Sequence, residues 1–150
     1  MEHCTIFSTQ AGRSLVAPTA QHYFEQVLPN YNGSLWTEVK CTGKDAEVRL
    51  TDLSADDPHL NALRPQMHAL YSSIPTTKPQ AKAIVLAAIH DCQTALGVAA
   101  TPTLAGHRNT LACIFQLARE LRGMVLMPTG ALYHHDGTLL FDTDGQSNID

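Results

Sequence analysis

The sequence predicts an α+β domain, a two-layer sandwich in which a mixed, mostly antiparallel sheet carries helices on one face. Three observations lead there. Between residues 45 and 52, Ala46, Val48 and Leu50 alternate with Glu47, Arg49 and Thr51, the period of a strand with one side in a core and the other in water. Between residues 107 and 122, Leu111, Ile114, Phe115, Ala118 and Leu121 recur at helical spacing. A strand, a helix and a hairpin then follow one another twice along the chain, which suits short antiparallel strands with helices laid across them.

Residues 3–8 form the first strand, since Thr5, Ile6 and Phe7 favour extended backbone and the turn-like residues 10–14 follow. A helix comes next: Val16, Ala20, Tyr23, Phe24, Val27 and Leu28 recur at its spacing, Pro18 suits a first turn, and Pro29-Asn30 stops it. Residues 35–41 and 45–52 make a hairpin about Thr42-Gly43-Lys44. The stripe Leu60, Leu63, Met67, Leu70, Tyr71 and Ile74 is helical, but Pro65 removes a backbone donor within it, so a kink or a later helix start at Pro65 is expected. After a break at residues 75–79 a helix resumes over 80–92. Residues 94–101, with Gly97 and the run Val98-Ala99-Ala100 before Pro102, read as a buried strand. The helix over 107–122 ends at Gly123, where a left-handed cap belongs. Residues 124–127 are a short strand, Pro128-Thr129-Gly130 turns the chain, and 132–135 pairs with 138–142 through the two-residue turn Asp136-Gly137. The polar residues 143–150 are expected to fray.

With 150 residues, 44% of them hydrophobic, the chain can bury one core, and a single domain over 1–150 is expected. Its halves, 1–75 and 80–150, are candidates for an internal repeat. Thr9-Gln10-Ala11-Gly12-Arg13-Ser14 and Thr103-Leu104-Ala105-Gly106-His107-Arg108 stand at matching places, after a strand and before a helix. The net charge of −4, with basic residues that form no run, argues against nucleic acid and against an anionic membrane surface. Charged residues are 16%, below the ~25% of an ordinary soluble domain, which leaves uncharged surface for self-association; a homodimer is expected. No apolar stretch reaches the ~20 residues of a membrane span and the first residues lack a signal-peptide pattern, so the expected location is cytoplasmic. Cys4, Cys41, Cys92 and Cys113 contain no C-x-x-C pair, so the expectation is four free thiols, with neither structural zinc nor a redox pair.

The two Ala-Gly loops carry the most suggestive polar chemistry. Gly12, Arg13 and Ser14, and Gly106, His107 and Arg108, each combine a glycine with a basic residue at the start of a helix, where backbone N–H groups can meet an anion. Ordinary strand-to-helix capping explains the same residues without a ligand. Neither loop is a phosphate-binding P-loop, because Gly12-Arg13-Ser14 lacks the upstream glycine and the lysine of that motif. His134 and Asp136 could share one strand face and are the weak candidates for a metal, with Asp142 or His107 as further ligands; a solvated hairpin end is the plainer reading. Asp142-Thr143-Asp144-Gly145 resembles the start of a calcium loop but places its glycine two positions early. No pair of carboxylates or triad converges, so no catalytic residue and no cofactor is assigned.

From Gln80 to Asp144, an apolar helix, Ala95-Leu96-Gly97-Val98-Ala99, the helix Leu111 to Leu121, Gly123-Met124-Val125-Leu126 and Asp136-Gly137-Thr138-Leu139-Leu140-Phe141-Asp142 follow one another. This pattern, with Cys4-Thr5-Ile6-Phe7-Ser8 at the start, resembles an uncharacterised bacterial family, domain of unknown function 4272. The resemblance implies a fold and no chemistry. The leading functional expectation is a small binding or interaction module with a protein partner or a second copy. The alternative is an enzyme or sensor of a small anionic metabolite held near Gly12 and Gly106, with Arg13, His107 and Arg108 as charge partners.

Overall fold

The computed structural model describes residues 2–10, 13–32, 35–44, 46–53, 57–101 and 108–149. In chain order come β1 (Glu2–Ser8), a 3₁₀ turn (Arg13–Leu15), α1 (Val16–Ala20), β2 (Gln26–Asn32), β3 (Leu35–Gly43), β4 (Ala46–Asp52), α2 (Asp57–Ser72), α3 (Pro79–His90), β5 (Thr94–Thr101), α4 (Arg108–Leu121), β6 (Met124–Leu126), β7 (Leu132–His134) and β8 (Leu139–Phe141). The strands form one sheet in the order β2-β3-β4-β5-β1-β6-β7-β8, and every neighbouring pair is antiparallel. The expected α+β sandwich with an antiparallel sheet is what forms.

The helices divide between the two faces of that sheet instead of gathering on one. On the first face, Val16 and Ala20 of α1 and Cys113, Ile114, Leu117 and Leu121 of α4 meet Ile6, Val39, Leu50, Leu96 and Val125. On the second, Met67 and Tyr71 of α2 and Val85 and Ile89 of α3 meet Phe7, Ala95, Met124, Leu132 and Phe141. The reason lies in apolar doublets on the central strands. Successive strand residues face opposite ways, so Ile6-Phe7, Ala95-Leu96 and Met124-Val125 each send one side chain into each layer. Away from those strands, β3 and β4 alternate and leave their second side polar, with Lys40, Glu47 and Arg49 in exposed ion pairs that add little stability.

The string strand, helix, three strands occurs twice, as β1-α1-β2-β3-β4 and β5-α4-β6-β7-β8. The sheet does not relate the two by a twofold: β1 takes the first strand of the later meander, β6, as neighbour, whereas β5 takes the last strand of the earlier one, β4.

Several elements depart from the periodicity. The first helix ends at Ala20, and Val27, Leu28 and Pro29 belong to the edge strand β2, where Val27 turns toward the core and Leu28 is 52% exposed. An edge tolerates Pro29, whose missing N–H needs no partner on the open side. The β3–β4 hairpin pairs Gly43 with Ala46, so its first strand runs two residues further and its second starts one residue later than expected. α2 starts at Asp57 and runs through Pro65 without a later start, because Pro65 is on the exposed side, where water can satisfy the freed carbonyl. At the end of α4 the left-handed residue is Arg122, φ 52°, and not Gly123. Arg122 N–H donates to Arg119 O and Gly123 N–H to Ala118 O, a Schellman closure. The last hairpin turns through three residues, with His134 N–H donating to Thr138 O and Gly137 at φ 90°, instead of the two expected.

The tail is tied down as far as Ile149. Asn148 N–H donates to Leu139 O on the outer edge of β8, Asp142 Oδ1 accepts from the N–H groups of Asp144 and Gln146, and Ile149 packs on the second core face. Both sheet edges are thus guarded within the chain, β2 by Pro29 and a register shift after Asn30 and β8 by its own tail. All four cysteines are free and buried, and burial pushes the thiols of Cys4, Cys41 and Cys113 up to about 12. Among the described residues no helix is long and apolar enough to cross a membrane.

Candidate functional site

α1 is short but well anchored. Val16 and Ala20 are buried against α4, and Thr19 Oγ1 donates to Glu120 Oε2 at 2.9 Å. The chain leaves α1 in a turn in which the N–H groups of Tyr23 and Phe24 donate to Ala20 O, and the Phe24 ring then enters the first core face. Gly43 lies beside that ring, at a distance where a Cβ would make an ordinary van der Waals contact of 3.5 Å with Phe24. The tip of the β3–β4 hairpin lies beside the residues that follow α1 and beside the first turn of α4.

Between them lies a cavity of about 370 Å³ lined by Tyr23, Phe24, Glu25, Gly43, Lys44, Ala46, Arg108, Asn109 and Thr110. It meets α4 at its positive end, where the first-turn N–H groups have no carbonyl partner within the helix. Lys44 and Arg108 are exposed and make no ion pair among the described residues. Other basic residues are occupied: Arg64 donates through Nε and Nη2 to Cys92 O, and Lys82 Nζ donates to Ser72 O, at the last residue of α2, and to Ile74 O just after it. Thr110 is the decisive member. It is 1% exposed, lines the cavity, and its Oγ1 finds no hydrogen-bond partner among the described residues. A buried hydroxyl left without a partner costs about 1–3 kcal/mol, so such groups point to a missing acceptor or donor.

Of the residues singled out from the sequence, Arg108 is at this cavity and Ser14 is exposed in the 3₁₀ turn outside its lining. Arg13 opens that turn. Gly12, Gly106 and His107 lie outside the described residues. The helix that follows the 3₁₀ turn, α1, is five residues long. Lys44, Glu25 and Thr110 were not legible as site residues. The one available signal was Thr110, a polar residue on the core stripe of α4 with Cys113, Ile114 and Leu117.

His134 and Asp136 do come together, with Nδ1 and Oδ1 3.2 Å apart, and the His134 and His135 rings have centroids 3.8 Å apart. Among the described residues, however, no group of three His, Cys, Asp or Glu side chains could hold a metal ion. Hydrogen bonds from Thr138 hold the Asp136 carboxyl down at about 2. Desolvation lowers the His135 pKa, aided by His134, Arg119 and Arg122 and opposed by Asp136. A histidine whose folded pKa lies below its unfolded value of about 6.5 takes up protons preferentially on unfolding, so stability falls as pH drops through 6.5 and the loss is complete below the folded value. Wild type should therefore lose more urea resistance than His135→Gln between pH 7.5 and pH 5.5. Equal losses in the two proteins would remove His135 from the account.

A second, larger cavity of about 530 Å³ lies beside α4 and is walled by Leu111, Phe115, Met127, Pro128 and Tyr133, with Glu2 as its one charged member. It lacks a convergent polar set. No protein-family model, curated protein or solved structure matches the chain.

Proposed function

We propose that this chain is a binding module for a small anion, taken up in the cavity at the start of α4, and that it works without a catalytic set of its own. The observation that carries the reading is a cavity at the positive end of a 14-residue helix that is lined by Lys44, Arg108 and Thr110, the last with a buried hydroxyl that has no partner among the described residues. The anion alternative read from the sequence is kept in part: Arg108 remains a charge partner, and Lys44 joins it. Self-association is not part of the proposal, since the sheet edges are guarded within the chain. The resemblance to an uncharacterised bacterial family adds no chemistry to it.

Inorganic phosphate is the first probe. At matched ionic strength it should raise the Tm of the wild type, and Lys44→Ala and Arg108→Ala should each weaken binding about tenfold or more, the effect of losing a charge-assisted hydrogen bond of roughly 1.5 kcal/mol. Thr110→Val should also weaken phosphate binding, while the free protein stays as stable as wild type or becomes more so, because the hydroxyl without a partner is gone. A phosphate response that survives in the Lys44→Ala/Arg108→Ala double variant, or no response at all, overturns the proposal.

A further inference from the structure

The cavity holds one group that a bare anion does not use. Glu25 follows directly on Tyr23 and Phe24, is exposed, and makes no ion pair or hydrogen bond among the described residues, although Lys44 and Arg108 line the same cavity. Opposite charges that share a cavity without pairing leave room between them for something that touches both. The space is ample: about 370 Å³ corresponds to roughly a dozen liquid waters at ~30 Å³ each, far more than a single phosphate or carboxylate fills.

We infer that the ligand is a small zwitterion, with an anionic group at Lys44, Arg108 and Thr110 and an ammonium group at Glu25. This rests on the anion reading of the same cavity. The carboxylate supplies the counter-charge for the ammonium, and Tyr23 lines the same cavity. Glu25 also sets specificity, because a ligand carrying only negative charge meets its repulsion and gains no ammonium–carboxylate contact in return.

Phosphoethanolamine and propyl phosphate separate the possibilities. They share a phosphate and a chain of similar length, and only the first ends in an ammonium. By isothermal titration of the whole chain, phosphoethanolamine should bind about three- to fivefold tighter, the upper part of the range for a solvent-exposed ion pair. Glu25→Gln should erase that preference and bind propyl phosphate as well as wild type does, or better. If both phosphates bind wild type equally and both need Arg108, the anion site stands and the zwitterion inference is overturned. A preference that persists in Glu25→Gln overturns it as well, and the absence of binding by either phosphate overturns both readings.

Discussion

Replacing Gly123 by alanine should cost the fold about 3 kcal/mol or more, since overpacking against backbone cannot be relieved by a rotamer change. A Cβ at this position would overlap the carbonyl oxygen of Phe7 and lie 3.3 Å from the Ser8 side chain. Phe7 is paired with Met124 in the sheet and Ser8 Oγ donates to Leu121 O at 2.5 Å, so neither β1 nor the end of α4 can retreat alone. The neighbouring residue is the control. Arg122 occupies the left-handed region at φ 52°, which glycine adopts without strain, so Arg122→Gly should gain about 0.5–1 kcal/mol. Urea unfolding midpoints at constant m-value decide the matter. A Gly123→Ala variant within 1 kcal/mol of wild type would show that the end of α4 has slack the packing does not suggest.

The same pair of residues shows what periodicity can and cannot read. A glycine after an amphipathic stripe marks the end of the helix correctly, but two constraints favour glycine there. One is the left-handed cap and the other is the close approach of β1, and only the second, a contact across more than a hundred residues of chain, fixes Gly123. Strands and long helices were legible where their side chains alternate or recur against a single core face, as in β4 and α4. The stretch from Tyr23 to Leu28 misled because its apolar residues also fit a helix, while its real partner, β3, is a strand whose pull is tertiary. At the candidate site the basic residue at the helix start was visible, whereas Lys44 and Glu25 come from a hairpin tip and a post-helix turn. They meet only where the hairpin tip packs beside the residues after α1, and no spacing rule encodes that.

Truncating Tyr71 tests the second layer of helices, the part of the architecture that a one-faced sandwich does not contain. Tyr71 is 1% exposed, packs within the core formed by α2, α3 and the second sheet face, and its hydroxyl donates to Gly130 O at 2.9 Å in the turn before β7. Burial pushes its pKa up to about 12, so the hydroxyl remains a donor throughout the neutral range. Tyr71→Ala should cost about 3–5 kcal/mol, the range for removing a large buried aromatic side chain. Tyr71→Phe keeps the ring and should cost only about 1 kcal/mol, the net worth of one hydrogen bond. The gap between the two variants isolates ring packing from the hydroxyl. If Tyr71→Ala falls within 1 kcal/mol of wild type, α2 contributes little to the core. The members of the doublets Ile6-Phe7, Ala95-Leu96 and Met124-Val125 that face α2 and α3 would then be buried under a layer that hardly holds, which is inconsistent with Phe7, Ala95 and Met124 being almost wholly buried. A large loss shows instead that the apolar doublets demand a helix on either side, and that the site at the start of α4 stands on a sheet held from both faces.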